Sequence, residues 1–205
     1  MTTIEAERIA SETESRTKRL KAATHAAHET LDRFIMRANP FRDRQSYGRF
    51  LRMQHALHRD LDALFFDEAM SRLLPDLQGR RRLDLVEQDL VDLGVAPVAS
   101  VAPLFERGAA LPRPKGLGWL YVIEGSNLGA AFLLKYAAAL GFNEAHGARH
   151  LAGAPEGRGL HWKTFTAALD QVALTAEDEQ QVIGEASAAF NHVQKLAKDC
   201  FPEIE

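Results

Sequence analysis

The sequence predicts one all-α domain, a bundle of about seven or eight helices. Three observations predict it. Apolar residues recur at three- and four-residue steps along most of the chain. No segment shows the period-two alternation of a half-buried strand. No internal repeat or domain-sized linker divides the 205 residues, a length that suits one large domain.

The elements follow in order. Residues 1–14 are charged and rich in Ser and Thr, with no apolar run of the kind a secretory signal carries, and read as a flexible tail. The domain is expected over 15–205. Leu20, Thr24, Ala27, His28, Leu31 and Ile35 share one face of a first helix, which Pro40 closes. A second stripe runs from about 43 to 69 through Tyr47, Phe50, Leu51, Gln54, Leu57, His58, Leu61, Leu64 and Phe65. Leu83, Val86, Leu90 and Leu93 give a shorter helix ending at Gly94. Residues 95–115 hold four prolines and read mostly as a connection. A long apolar helix is expected from about 116 to 140, with Gly141 as its C-terminal cap. Residues 142–159 carry four glycines and a proline, which reads as a loop. His161 to Leu174 is expected to be helical. Thr175 and Asp178 have the spacing of a capping box for the last helix, which runs to Cys200.

Composition narrows the function. The chain has 25 Lys+Arg against 28 Asp+Glu, so it lacks the basic excess of a general nucleic-acid binder. The single Cys200 excludes an internal disulfide framework and any CxxC site, and suits a reducing cytoplasm. The apolar stretch from Gly116 to Phe142 is long enough to cross a membrane, but Glu124, Asn127 and Lys135 interrupt it. It reads better as the buried centre of a bundle. There is no GxGxxG, P-loop, GxSxG or HExxH motif, and no Glu-x-x-His pair of the di-iron bundles.

Three features place polar residues or glycine where packing alone would not. His28 stands on the apolar face of the first helix. It is either a core histidine with satisfied ring nitrogens or an axial ligand aimed at haem iron. His25 lies about 60° around the helix, toward solvent, and is given no role. The long helix contains Gly116, Gly118, Gly125 and Gly129, although a helix-interior glycine costs about 1 kcal/mol relative to alanine. Either helices pack closely against these glycines, or a flat ligand approaches a backbone without β-carbons. Gln54 and His58, four residues apart, share one face. They are either buried groups satisfied by backbone or anchors for ordered water.

Two segments together resemble the haem oxygenase family, especially its bacterial branch. One is Leu20-Lys21-Ala22-Ala23-Thr24-His25-Ala26-Ala27-His28-Glu29. The other is Gly118-Trp119-Leu120-Tyr121-Val122-Ile123-Glu124-Gly125-Ser126-Asn127-Leu128-Gly129. The similarity spans about residues 15–200. It implies haem b held between two helices as both substrate and cofactor, with His28 as the proximal iron ligand. Gly125 and Gly129 would lie over the distal face and leave room for O2. Lys21 and Tyr121 would contact the propionates, and Phe190 would pack on the ring. Gln54 and His58 match positions that hold distal water. Ser126 stands where many animal-type members place an aspartate, which leaves Gln54, His58 and Asn127 as candidates to hold that water.

The reaction so implied is oxidative opening of haem at a meso carbon to biliverdin, ferrous iron and CO. A neutral imidazole donates less electron density to iron than a thiolate does. That spares the O–O bond for attack on the ring. Lys21 with Tyr121 argues for cleavage at the α-meso carbon. The chain has no flavin or iron–sulfur motif, so electrons would come from a ferredoxin or a flavoprotein reductase. Arg16, Lys18 and Arg19 would either form a docking face for that acidic donor or a solvated charged face. The alternative function is a non-catalytic haem-binding or carrier protein on the same fold. A cytoplasmic monomer that binds neither nucleic acid nor membrane is expected.

Overall fold

A computed structural model describes residues 14–99 and 102–204. The expected flexible tail therefore lies almost wholly outside the described residues. Seven α-helices follow one another, with no strand among the described residues: α1 Arg16–Ala38, α2 Arg44–Leu61, α3 Glu68–Leu73, α4 Leu83–Leu93, α5 Arg113–Ala139, α6 Arg158–Gln171 and α7 Ala176–Cys200.

Local chemistry sets the helix ends. The Ser15 hydroxyl accepts from the Lys18 amide at the start of α1, and Asn39 ends it in the left-handed region at φ 45°. Asp43 caps α2 and Asp67 caps α3 through side-chain carboxylates. Gly94, at φ 65°, closes α4. The capping box of Thr175 and Asp178 is formed at the start of α7.

Three expected boundaries move, and one of them is the helix expected over His161–Leu174, which runs Arg158–Gln171. The stripe over 43–69 is not one helix: α2 stops at Leu61, a 3₁₀ turn covers Asp62–Phe66, and Asp67 caps a new helix. That cap competes with helix continuation for the same backbone amides. The long helix begins at Arg113 rather than near 116, because Pro114 in the first turn loses no hydrogen bond there. It ends with Leu140 as its cap residue, and Gly141 follows at φ 87°.

The helix α5 runs through the centre, packed mainly on α7 and α6. Its first half is buried continuously from Gly116 to Glu124. It is long and apolar enough to cross a membrane, but Leu117, Leu120 and Ile123 lie in a core shared with Leu20, Phe165 and Val182. A second core gathers Tyr47, Phe50, Leu51, Phe142 and Phe201 toward the other end of the bundle. The start of α1 is tied to α7 by Arg16, which is buried and pairs with Glu179 at 2.6 Å. Arg19 pairs with the same carboxylate. Arg16 and Arg19 are thus structural pins. Arg16 is buried, Arg19 is partly exposed, and Lys18 beside them is exposed.

Candidate active site

Between α1 and α5 lies a cavity of about 630 Å³, floored by α2 and walled by α7. His28, Leu31 and Ile35 reach it from α1, Met53, Gln54 and Leu57 from α2, and Phe190 and Val193 from α7. Gly125, Ser126, Leu128, Gly129 and Phe132 reach it from α5. Met36, Leu128, Phe132 and Tyr136 are large apolar side chains left exposed, and all four line this cavity. A folded protein leaves so much apolar surface together mainly where a ligand will cover it. A second cavity of about 280 Å³ lies under the 103–112 loop and shares no lining residue with the first.

The structure places His28 at the cavity. Its side chain is 58% exposed, so it is not a core histidine. The stripe it belongs to faces the cavity as well as the core. Its Nδ1 stands 3.1 Å from Asp32 Oδ2, one turn on, which leaves Nε2 for a ligand. A second-sphere carboxylate of this kind fixes the tautomer and the ring plane of a ligating histidine. Phe190 meets the His28 ring edge-on at 5.8 Å between centroids. His25 is 67% exposed at the rim, pairs with Glu29 through its own Nε2, and has no such support.

Across the cavity the glycines divide into two kinds. A β-carbon on Gly118 would lie 2.7 Å from the Val182 carbonyl oxygen, and one on Gly116 2.7 Å from Met70 Sδ. These two serve close packing. A β-carbon on Gly125 would make ordinary contact with Trp162 at 3.5 Å, and one on Gly129 would meet nothing within 4 Å. Nothing in the protein requires glycine at 125 or 129. The space in front of them belongs to the cavity, as a flat ligand lying against bare backbone would require.

The other expected site residues fall as follows. Lys21 and Tyr121 line the cavity together with Thr24. Tyr121 is buried, which raises its hydroxyl above the usual phenol range, partly offset by a hydrogen bond with Thr24. Thr24 Oγ1 itself donates to the Leu20 carbonyl of its own helix at 2.7 Å. The Ser126 hydroxyl donates to the Ile123 carbonyl of its own helix at 2.7 Å. Gln54 lines the cavity, while His58 is buried one turn further along α2, outside the lining. Burial first, then the neighbouring His150 and Arg82, push the His58 pKa down to about 3, so it is neutral. Asn127 is not brought to the cavity and is absent from its lining; its backbone carbonyl accepts from Arg158 at 2.9 Å. That corrects its candidacy for holding distal water. Helical geometry is the reason, since two residues beyond Gly125 is about 200° around the axis.

Sequence reasoning missed Asp32 and Trp162. The (i, i+4) spacing of His28 and Asp32 was a readable signal. Trp162, on α6 beside Gly125, had none.

A helical bundle with an apolar cleft, an imidazole held by a carboxylate on one wall and bare helix backbone on the other, defines a protein built for a flat, metal-bearing ligand. The comparisons with known proteins identify the class. The profile of the heme oxygenase family matches residues 14–199, and the chain belongs to that family. It is 42% identical over 186 residues to the heme oxygenase PigA of Pseudomonas aeruginosa, covering 91% of this chain and 93% of that one. It is 30% identical over 150 residues to a heme oxygenase of Xanthomonas campestris, covering 73% and 87%. The NO- and CO-bound heme oxygenase of Neisseria meningitidis superposes with a TM-score of 0.82 at 40% identity, over 92% of both chains. Heme oxygenase 2 of Chlamydomonas reinhardtii, solved without heme, shares the fold with a TM-score of 0.70 at 19% identity, over 92% of this chain and 98% of that one. The protein is therefore an enzyme of the haem oxygenase class.

Proposed function

We propose that this enzyme opens haem b at the α-meso carbon, using O2 and electrons from an external ferredoxin or flavoprotein reductase, and yields biliverdin, ferrous iron and CO. The observation that carries the reading is the pairing across one cavity of His28, supported by Asp32, with the unfilled space before Gly125 and Gly129. Bound haem supplies the iron that takes up dioxygen and the porphyrin carbon that is cleaved.

The protein's own groups set the outcome. His28 Nε2 would hold the haem iron, with Asp32 on Nδ1 keeping the ring aligned. Phe190 packs against ligand and ring. Lys21 and the Tyr121 hydroxyl contact the propionates and so fix the rotation of the macrocycle, which selects the α edge. Glycine backbone at 125 and 129 leaves room for dioxygen and offers no strong acid that would cleave its O–O bond. Gln54 reaches the distal space directly and Ser126 borders it. His58, neutral and buried behind Gln54, anchors water there with its unpaired Nδ1. The protein works as a cytoplasmic monomer.

One optical experiment tests this. Hemin is added to purified protein, reductant is supplied in air with catalase present, and spectra are followed through a single turnover. The reading requires a sharp Soret band that decays into biliverdin absorption, with the α isomer dominant by chromatography. A stable Soret band, or chiefly β or δ isomers, contradicts it.

A further inference from the structure

The cavity under the 103–112 loop stands apart from the haem site. At about 280 Å³ it has less than half the volume of the cavity between α1 and α5. That is too little for a tetrapyrrole and enough for one ring-sized molecule. Leu64 and Phe66 wall it from the turn after α2, Phe105 and Leu111 from the loop, and Lys115 from the first turn of α5.

Two cations are held at this cavity against aromatic faces. The Arg107 guanidinium lies 3.7 Å from the centroid of the Phe66 ring. One of its nitrogens donates to Asp62 at 2.7 Å. The side chain is 57% exposed, so the guanidinium face turned away from Phe66 is open, and a guanidinium stacks on flat rings. Lys115 Nζ lies 4.9 Å from the centroid of the Phe105 ring. Among the described residues no carboxylate stands within 4.0 Å of this ammonium. Helix stability gives no reason for a cation there. The first turn of α5 carries Arg113 and Lys115 and no acid, although the helix dipole disfavours cations at that end. The acids at the cavity do not answer Lys115. Asp67 Oδ1 is taken by the Met70 amide at 2.8 Å, and Glu106 is exposed on the loop.

We propose that this cavity binds a small aromatic carboxylate. The carboxylate pairs with Lys115 and supplies the counter-charge that Lys115 lacks. The ring lies on the open face of Arg107, which suits a flat ring better than a puckered one. Leu64, Phe105 and Leu111 cover its edge. A reporter stands beside the site. Phe105 meets the Trp119 ring edge-on at 5.3 Å between centroids, and the Trp119 indole N–H donates to Glu185 at 2.8 Å. Trp119 also lines the haem cavity, so the two cavities share this aromatic wall.

Benzoate is the probe. In ¹⁵N-tryptophan-labelled protein the Trp119 indole signal is assigned by its loss in Trp119→Phe. It is then followed as benzoate is added, first without haem and then with zinc protoporphyrin filling the larger cavity. The proposal expects a saturable shift in the millimolar range or below in both states. Benzamide, without the charge, is expected to bind at least about tenfold more weakly. Lys115→Met is expected to weaken benzoate by the same factor, and Lys115→Arg to keep it. Arg107→Lys keeps the charge and removes the flat surface, so it is expected to abolish the preference for benzoate over cyclohexanecarboxylate. That exposed position also keeps the test decisive if Lys115→Met does not fold. No saturable shift overturns the site. Equal binding of benzamide, or wild-type affinity in Lys115→Met, overturns the pairing with Lys115. An unchanged preference in Arg107→Lys overturns the stacking. A shift that zinc protoporphyrin abolishes places benzoate in the haem cavity and overturns the proposal as well.

Discussion

In the first half of α5, a β-carbon on Gly118 would stand 2.7 Å from the Val182 carbonyl and 2.8 Å from the Ala186 amide nitrogen. Three turns later, a β-carbon on Gly129 would meet nothing within 4 Å. One helix thus uses the same residue in two opposed ways. The first half is a packing surface, where glycine admits the backbone of α7. The second half is a ligand surface, where glycine keeps space open. The difference explains why α5 is apolar on nearly every side. Its first half is covered by the core, and in its second half Leu128, Phe132 and Tyr136 wait at the cavity. An apolar helix of this length therefore indicates burial without saying what buries it.

The strongest challenge to the ligand half is removal of the group opposite it. His28→Ala is expected to lower single-turnover biliverdin formation by a hundredfold or more, roughly 3 kcal/mol, and to weaken hemin binding in a Soret titration. His25→Ala, at the rim, is expected to stay near wild type. Equal activity of the two variants would break the assignment. On the packing half, Gly118→Ala forces a methyl into the backbone of α7. It is expected to destabilise the ligand-free protein by about 2–3 kcal/mol in urea unfolding, despite alanine's better helix propensity. A neutral result would erase the distinction between the two halves.

Acid tests the region behind the ligand half. His58 is held neutral, with its folded pKa at about 3 against an ordinary 6.5. The unfolded chain therefore binds the proton first as pH falls. This residue's contribution to stability is intact above about pH 6.5 and is lost from there downward, toward the folded value. The loss is about 1.4 kcal/mol for each unit below 6.5. Between pH 6.5, where the unfolded histidine is half protonated, and pH 5.5, urea unfolding should show about 1 kcal/mol of this loss, and His58→Gln should remove it. An identical slope in the variant would mean that other groups carry the acid sensitivity. The smallest effect has the opposite sign. Gly129→Ala should stabilise the ligand-free protein by about 1 kcal/mol through helix propensity alone, since its methyl enters empty space.

Much of this was legible in the sequence. Helical periodicity gave the long elements, and Thr175 with Asp178 gave the start of α7. The two motifs around His28 and Gly125 carried the family. The periodicity of residues 43–69 could not show that Asp67 would cap a new helix, because the apolar stripe continues through the break. Spacing also could not separate the four glycines of α5, since the distinction depends on which neighbour packs against each. His28 looked like a core position because its stripe is apolar, although that stripe faces an empty cleft. Asn127 looked like a site residue through its neighbours, although the helix turns it away. Trp162 comes to Gly125 only through a tertiary contact.

The central claim is that the space before Gly125 and Gly129 exists for the ligand. Gly129→Leu tests it most directly, measured twice: thermal unfolding of the ligand-free protein, and the optical record of one turnover with hemin. The account predicts a ligand-free protein that melts at or above the wild-type temperature while biliverdin formation falls at least about tenfold, some 1.4 kcal/mol. Wild-type turnover in that variant, or a ligand-free protein that no longer folds, would contradict it.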